Sequence, residues 1–355
     1  MKSGYNISIW DFLHKLPAGT MFVPLIISSI ITTICLHCGL NQSLWDYLGS
    51  PTKDLFGSSG IMFSTGLMLF VTGTMLKIND FIKMAQRGLW ITLIRLIPAY
   101  VFCFLIYYFC GLNGFLGLNF VLLVSLLVCI NASMYVAVVE PYADTIDKAL
   151  LPLLCLTSVP LLPFIFISSF GEGESNLLSK ILQIISLLLP FLLGFILGNL
   201  DSKIRTIFKD GNTILLPFIG FQFGSNIDLV QAFNINVLLS GLLALLIFYF
   251  FNLLPFLFER FILKRTPYIS TASSSLAGLG LAVPNMFITY TFNGESFSNL
   301  LTQSLAILAF VLLMSNMLAP LFTSLTIKLG AKYDNKIFLK TFKDNKEILE
   351  KYNKK

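Results

Sequence analysis

The chain has 355 residues, of which 56% are hydrophobic and only 12% are charged, and its mean hydropathy is +0.81. Soluble proteins carry about 25% charged residues, so this composition argues against a soluble enzyme, a nucleic-acid-binding protein and a disordered scaffold. Apolar stretches of roughly 20 residues, long enough to cross a bilayer as helices, recur along the chain. Strands of a membrane β-barrel are shorter and alternate polar with apolar residues. The sequence therefore predicts an all-α protein that crosses the membrane several times.

Ten apolar segments are predicted to span the membrane. In chain order they cover residues 19–38, 56–76, 89–110, 117–139, 148–169, 177–200, 212–229, 236–257, 266–291 and 299–326. Lysine and arginine assign a side to each connection, because cytoplasmic loops carry the positive excess. The segments before the first span and after every even span hold 21 of the 24 cationic residues. Both termini are therefore predicted to be cytoplasmic, and the number of spans to be even.

An internal repeat relates the two halves of the chain. Residues 70–78 (FVTGTMLKI) and 221–229 (FQFGSNIDL) share the pattern F-x-x-G-[ST]-x-[LI]-x-[IL], at the ends of the second and seventh spans. Five spans separate the copies, so they have opposite orientations in the membrane; a chance match between apolar helices is the alternative. Two inverted five-helix repeats are a common plan of secondary transporters. We predict repeats over residues 1–175 and 176–327, followed by a lysine-rich cytoplasmic tail over 328–355.

Polar and helix-weakening residues concentrate in the fourth and ninth spans, which are equivalent in the two repeats. Transporters of this plan bind substrate near the membrane midplane, where helices are interrupted. We predict that both helices are broken, that they cross and that the substrate binds there, although small residues also serve close helix packing. Pro284 and Asn285 are predicted to mark an unwound segment. The candidate substrate-binding residues are Asn131, Ser133, Ser273, Ser274, Ser275, Gly278, Gly280 and Asn285.

Ionisable residues are rare inside the predicted spans, and each is costly in hydrocarbon. Asp228 is the one carboxylate placed within a span. With Asn226, Ser225 and Thr74 it forms the candidate coupling site for a proton or a cation, and a plain carboxylate at the outer surface is the alternative. Arg95 lies about two turns into the third span. Its side chain either extends to the cytoplasmic surface or binds a substrate carboxylate.

The sequence lacks the residues that metal binding, nucleophilic catalysis and nucleotide binding require. The six cysteines lie in or at the ends of spans and are predicted to be free thiols. Histidine occurs only at positions 14 and 37, which leaves neither a metal site nor a nucleophile–base pair. The chain has no phosphate-binding loop ending in Gly-Lys-Ser/Thr. The sequence thus predicts no cofactor, no metal and no enzymatic activity.

Four stretches of the chain are distinctive in order and composition. They are residues 16–25 (LPAGTMFVPL), 189–201 (LPFLLGFILGNLD), 216–229 (LPFIGFQFGSNIDL) and 271–278 (TASSSLAG). Together they resemble the bacterial 2-keto-3-deoxygluconate permease family, and the likeness runs from about residue 12 to 328. The resemblance implies proton-coupled uptake of that sugar acid by a ten-span, inverted-repeat symporter, in a larger group that includes bile-acid sodium symporters.

Two positions depart from the pattern of that family. Val128 and Thr157 stand where the fourth and fifth spans of the family carry acidic residues. Asp201 and Asp228 do match the family. The resemblance therefore makes Asp228 the leading candidate for coupling, while it weakens the inference about the substrate.

We predict a secondary transporter of the bacterial cytoplasmic membrane that imports a small organic anion by proton symport. The anion is expected to be 2-keto-3-deoxygluconate or a related sugar acid, with its carboxylate at the positive ends of the half-helices, where unpaired N–H groups point. The partners are this anion, the coupling ion and the lipid bilayer, without nucleic acid. A sodium-coupled symporter of another organic anion is one alternative, and a channel or membrane sensor is another. The tail is predicted to be a solvated helix near anionic lipid.

Overall fold

A computed structural model of the chain describes residues 8–9, 13, 19–40, 43–78, 88–139, 141–143, 147, 150, 153–154, 157, 161–171, 177–288, 290–343 and 345–352. Most of the stretch 148–160, in the predicted fifth span, lies outside these residues, and so do the side chains of Ser133 and Asn285. The described part is mostly helical, as the composition predicts.

The helices are numbered here in chain order. In the first half they are α1 (Gly19–His37), α2 (Leu44–Leu48), α3 (Thr52–Phe56), α4 (Ile61–Met75), α5 (Trp90–Cys110), α6 (Phe120–Val128), α7 (Ala132–Val139) and α8 (Leu161–Ile167). In the second half they are α9 (Leu177–Leu200), α10 (Ser202–Ile207), α11 (Gly211–Gly224), α12 (Leu229–Ala232), α13 (Ile235–Leu257), α14 (Tyr268–Ala272), α15 (Ala282–Met286), α16 (Leu301–Tyr333), α17 (Asn335–Thr341) and α18 (Lys346–Tyr352). A small antiparallel hairpin of β1 (Thr291–Phe292) and β2 (Glu295–Ser296) precedes α16.

Among the described residues, four helical stretches are long and apolar enough to cross a membrane. They are Gly19–His37, Trp90–Cys110, Val237–Ile262 and Phe297–Tyr333, and shorter apolar helices cover Gly66–Met75, Leu188–Leu200 and Thr213–Gly224. Each of the seven coincides with a predicted span, although α16 continues seven residues past the predicted end of the tenth span. The fourth and ninth predicted spans consist instead of helices of at most nine residues.

Two pairs of helices pack with their backbones in close contact, α1 along α11 and α4 along α9. A Cβ atom on Gly224 of α11 would lie 2.2 Å from the carbonyl oxygen of Leu25 in α1. A Cβ atom on Gly73 of α4 would lie 2.3 Å from the carbonyl oxygen of Phe191 in α9. Small residues permit this approach where dispersion and weak polar contacts, rather than the exclusion of water, hold helices together.

The buried core is centred on α6, all nine residues of which are buried. The helices α5, α8, α13 and α16 pack around it, with a cluster of aromatic rings at one end that includes Tyr107, Phe120 and Phe170. Large apolar side chains remain exposed on the outer faces of α5, α9 and α13. Such faces suit helices solvated by lipid, since lipid chains are as apolar as leucine.

The C-terminal segment folds back onto the molecule. Phe338 and Phe342 are buried, and the ring of Phe342 lies 5.1 Å from that of Tyr268 at the start of α14. The hydroxyl of Thr341 accepts a hydrogen bond from the N–H of Thr266 (2.9 Å). The sequence predicts the tail to be a solvated helix near anionic lipid. It packs against the molecule through aromatic side chains that cover the beginning of the ninth span, while its lysines at 336, 340 and 343 are exposed.

Candidate functional site

The fourth and ninth predicted spans are each interrupted in the middle. Residues 129–131 separate α6 from α7, and residues 273–281, which include a 3-10 turn at Gly278–Leu281, separate α14 from α15. The side chain of Asn131 accepts a hydrogen bond from the N–H of Met134 (3.0 Å). An asparagine that caps a helix in this way favours starting a new helix over continuing the old one. Both spans are thus broken helices, as their composition predicts.

The two interrupted segments cross and pair with each other. The N–H of Asn131 donates to the carbonyl of Ser275 (2.9 Å), and the N–H of Ala277 donates to the carbonyl of Cys129 (3.1 Å), forming an antiparallel bridge. The neighbouring N–H of Leu276 donates to the hydroxyl of Ser315 in α16 (3.0 Å). Unpaired backbone groups are costly away from water. These three N–H groups are occupied, so they are not free to receive a substrate carboxylate.

Pro284 and Asn285 do not lie in the unwound segment, contrary to the prediction. They belong to α15, where Pro284 is the third residue of the helix. A proline in the first turn removes no intrahelical hydrogen bond, because the first N–H groups of a helix have no intrahelical acceptor. The unwound stretch lies earlier in the chain, at residues 273–277.

The predicted serine and glycine residues have different environments at the crossing. The hydroxyls of Ser273 and Ser274 donate back to carbonyls of α14, whereas that of Ser275 is buried without a hydrogen-bond partner among the described residues. A Cβ on Gly278 would overlap the ring of Phe223, at 2.3 Å. Gly280 faces Cys129, with the added Cβ 3.3 Å from that of the cysteine. Both glycines therefore permit close packing at the crossing, and Ser275 retains an unused hydroxyl.

An asparagine that the sequence reasoning did not select completes the crossing. Asn316 of α16 is buried and accepts a hydrogen bond from the side-chain amide of Asn131 (3.1 Å), while its own amide nitrogen has no partner among the described residues. The pair joins the fourth span to the tenth. Two adjacent polar residues, Ser315 and Asn316, interrupt a long apolar run of the sequence. This interruption is the signal that could have identified Asn316.

A cavity of about 350 Å³ opens at Asn316, between α1 and α16. Its lining is Phe22, Val23, Ile26, Ile27, Asn316, Met317, Pro320 and Leu321. A largely apolar cavity with one unsatisfied amide has the character of a small-molecule site, which is usually apolar with a few polar groups that fix orientation. The cavity therefore brings open space to the asparagine pair at the crossing.

Arg95 points inward and not to a surface. It is 2% exposed, and its Nη1 donates to the carbonyl of Ser273 (2.9 Å) at the break in the ninth span. The guanidinium carbon lies 5.1 Å from the centre of the Phe248 ring. The structure therefore excludes the alternative of a side chain extending to the cytoplasmic surface.

The predicted coupling residue Asp228 lies between α11 and α12, outside any helix, because α11 ends at Gly224. Its carboxylate accepts a hydrogen bond from the N–H of Val230 (3.0 Å) and caps α12. Nε2 of His37 lies 3.2 Å from both of its oxygens. The placement of Asp228 inside a helical span is thus corrected, and the residue joins the ends of α1 and α11.

The other three predicted coupling residues do not converge on one point. The hydroxyl of Ser225 donates to the carbonyl of Gln222 (2.7 Å), and that of Thr74 donates to the carbonyl of Val71 (2.7 Å). Thr74 lies against Gly198 of α9, and Asn226 is exposed. The two hydroxyls make the same bond in the two copies of the repeated motif, but they do not form a common site with Asp228.

A buried ionic cluster, also missed by the sequence reasoning, lies at the start of α14. Arg265 binds the carboxylate of Asp147 with two nitrogens (2.7 and 3.3 Å), and the hydroxyl of Tyr268 donates to the same carboxylate. Burial alone lowers the pKa of Arg265, but the acidic groups around it, with Asp147 the largest contributor, together raise that pKa above its ordinary value. The carboxylate of the buried Glu259 accepts from the N–H and hydroxyl of Ser270 (2.9 and 2.6 Å). These contacts hold the beginning of α14 to the segment between the fourth and fifth predicted spans and to the residues that follow the eighth.

The described residues contain no group of three His, Cys, Asp or Glu side chains that could hold a metal ion. Cys35, Cys38, Cys103, Cys110 and Cys129 are free thiols.

Long apolar helices combined with two short, interrupted helices that cross define a class of protein. This combination is typical of secondary transporters, which build binding sites from discontinuous helices. The family model described as 2-keto-3-deoxygluconate permease matches residues 10–332. The chain belongs to this family, which confirms the resemblance seen in its motifs.

Individual relatives agree with the family match. The chain is 27% identical over 324 residues to a 2-keto-3-deoxygluconate permease of Xanthomonas euvesicatoria, covering 90% of this chain and 96% of the relative. It is 26% identical over 328 residues to 2-keto-3-deoxygluconate permease 1 of Salmonella typhimurium, covering 92% and 98%. The family and these relatives are permeases, so the chain is a multi-pass membrane transporter and not an enzyme.

Proposed function

We propose that the protein imports 2-keto-3-deoxygluconate, or a closely related sugar acid, by proton symport across the bacterial cytoplasmic membrane. The names of its relatives support the substrate. One observation carries the proposal: two broken helices cross next to a cavity of about 350 Å³. The crossing and the cavity meet at the hydrogen-bonded pair of Asn131 and Asn316. Small-molecule sites typically measure about 300–1,000 Å³, and Asn316 is the residue through which this space reaches the crossing.

We further propose ten spans in two inverted repeats, over residues 1–175 and 176–327. Inversion makes the first span equivalent to the sixth and the second equivalent to the seventh. The contact of α1 with α11 is then the counterpart of the contact of α9 with α4, and both are made at a glycine of the repeated motif, Gly224 and Gly73. This correspondence supports the repeat independently of the sequence match.

The substrate is proposed to bind between the fourth and ninth spans. Its contacts would come from the candidate residues Asn131, Ser133, Ser273, Ser274, Ser275, Gly278, Gly280 and Asn285, with Asn316 added from α16. Ser275 and Asn316 are the strongest of these, because each has a buried polar atom without a partner among the described residues. Hydroxyls and amides of this kind suit the hydroxyl groups of a sugar acid, since buried polar groups require hydrogen bonds.

The coupling ion is proposed to be a proton, with Asp228 as the coupling group. The buried Val128 and Thr157 occupy places where the family resemblance expects acids, so Asp228 is left with this task. Sodium is the second candidate, because the hydroxyls and amides around the crossing are ligands for a hard cation.

Uptake by vesicles containing the purified protein tests the proposed function. We expect accumulation of labelled 2-keto-3-deoxygluconate when a pH gradient, acidic outside, is imposed with choline as the external cation. Accumulation that requires external sodium would show that sodium, and not the proton, is the coupling ion. An absence of uptake with either gradient would overturn the substrate assignment.

The binding site has its own test in the same vesicles. Asn316→Ala removes a buried amide and its hydrogen bond to Asn131, and we expect KM for uptake to rise by roughly tenfold or more. Gln303→Ala is the matched control, because Gln303 is an exposed amide on the same helix, and it should transport as the wild type does. An unchanged KM in Asn316→Ala would place the site elsewhere.

A further inference from the structure

The side chain of Arg95 carries a charge that the fold itself does not balance. It is buried at the break in the ninth span, and no described carboxylate lies within ion-pair distance of it. The other buried arginine, Arg265, has Asp147 as its partner. A buried charge is strongly unfavourable unless it is paired. Arg95 therefore has the electrostatic requirement of a group that awaits an anion.

The geometry of the guanidinium indicates which edge is open. Nη1 is used by the carbonyl of Ser273, and one face lies over the ring of Phe248. Nε and Nη2 are buried and have no hydrogen-bond partner among the described residues. These two nitrogens form the side edge of the guanidinium, whose parallel N–H groups match the two oxygens of a carboxylate.

Three backbone N–H groups described at the crossing do not compete with Arg95 for an anion. The N–H groups of Asn131, Leu276 and Ala277 at the crossing are already paired. Arg95 brings a full positive charge to the break in the ninth span, at the carbonyl of Ser273. An arginine fork also discriminates between a carboxylate and a neutral oxygen more sharply than backbone groups do.

We propose that Arg95 binds the carboxylate of the transported acid through Nε and Nη2, and that it makes the transporter specific for anions. The inference rests on the proposed function only in requiring that the substrate be a carboxylic acid. Arg95 is assigned to the acid group, while the asparagines and Ser275 are left for the hydroxyl groups. The charge of the substrate then supplies the counter-ion that the described fold lacks.

Binding of an acid and of its uncharged methyl ester, measured with the purified full-length protein in detergent, tests this assignment. The wild type should bind 2-keto-3-deoxygluconate more tightly than its ester. In Arg95→Gln the affinity for the acid should fall roughly 10- to 100-fold, to that of the ester, because a charge-assisted pair of hydrogen bonds is lost. The affinity for the ester should remain unchanged. An acid-to-ester ratio in Arg95→Gln equal to that of the wild type would overturn the proposal.

Arg205→Gln is the matched control. Arg205 also donates to a backbone carbonyl, that of Gly198 (2.5 Å), but it lies in α10, the short helix after α9. Its replacement should leave the preference for the acid intact. If Arg95→Gln does not fold, Arg95→Lys keeps the charge without the two-pronged edge, and it should retain part of the preference. A full preference in Arg95→Lys would contradict the role of the fork.

A panel of other sugar acids and keto acids, each with its ester, separates this proposal from the proposed function. If the wild type ignores 2-keto-3-deoxygluconate but binds another acid, the proposed substrate is wrong, and Arg95 is tested with that acid in the same way. Failure of the wild type to bind any acid in the panel would overturn both.

Discussion

At the scale of single residues, few charged side chains lie in the interior, where a charge is energetically costly. Each of those described here is accommodated in a different way. Arg265 and Asp147 neutralise each other, and Asp228 caps a short helix beside His37. Arg95 has only a carbonyl and an aromatic ring. The buried pair is structural, since Arg265 donates two hydrogen bonds to the carboxylate of Asp147. At the crossing, Arg95, Ser275 and Asn316 have buried polar atoms without a hydrogen-bond partner among the described residues.

A substitution at Asp228 can separate a role in coupling transport to protons from a role in stabilising the fold. Asparagine caps helices about as well as aspartate, and an ion pair of this exposure contributes at most about 1 kcal/mol. Asp228→Asn should therefore fold with nearly unchanged thermal stability. If Asp228 couples transport to protons, the variant should lose accumulation driven by a pH gradient while retaining exchange of substrate across the membrane.

The matched control for this variant is Asp201→Asn. Asp201 also caps a short helix, accepting from the N–H of Lys203 (2.8 Å), but on the side predicted to be cytoplasmic. Its replacement should leave gradient-driven uptake intact. Undiminished accumulation in Asp228→Asn would remove Asp228 from the coupling step.

At the scale of the elements, close packing of helices and interruption of helices have separate causes. The pairs α1–α11 and α4–α9 approach through Gly224 and Gly73, each of which meets a carbonyl oxygen of the partner helix. The broken spans depend on capping and on exchange of backbone hydrogen bonds, with Asn131 contributing to both. The sequence indicated that the fourth and ninth spans break. It did not locate the second break, because Pro284 is compatible with the first turn of a helix as well as with its end.

The helix contact of the repeated motif can be tested by its glycine. In Gly224→Ala the added Cβ would lie 2.2 Å from the carbonyl oxygen of Leu25, so α11 must move away from α1. Overpacking of this kind typically costs about 1–3 kcal/mol, and the melting temperature in detergent should fall. Gly66→Ala is the control, because its Cβ would meet nothing closer than Pro190 at 3.9 Å, and alanine favours a helix interior. An equal melting temperature for the two variants would contradict the close contact.

At the scale of the whole molecule, contacts between loops respect the predicted sides of the membrane. Asn113 and Glu295, both predicted outside, share a hydrogen bond (3.0 Å). Arg260 and Asp334, both predicted to be cytoplasmic, form an ion pair. His37 and Asp228, at the predicted outer ends of the first and seventh spans, lie 3.2 Å apart. Each of these contacts joins residues that the proposed topology places on the same side of the membrane.

This topology predicts the access of a membrane-impermeant thiol reagent to cysteines introduced into a variant without native cysteines. Asn299→Cys, in the exposed turn before α16, should be labelled in intact cells. Lys203→Cys, exposed after α9, should be labelled only after the membrane is disrupted. Labelling of both in intact cells, or the reverse pattern, would contradict the proposed arrangement of ten spans with cytoplasmic termini.

The sequence by itself determined that the protein lies in a membrane, that it is mostly helical, which family it belongs to and which two spans break. These follow from composition and from motifs, which local physical chemistry can interpret. The tertiary structure alone decided which polar groups meet. Asn131 lies 185 residues from Asn316, Arg95 lies 178 residues from the carbonyl of Ser273, and Arg265 lies 118 residues from Asp147. Pairings over such separations depend on how helices pack, so no local pattern encodes them. The low content of charged residues becomes informative once the tertiary structure is known, because Arg95 then has no counter-ion in the described core.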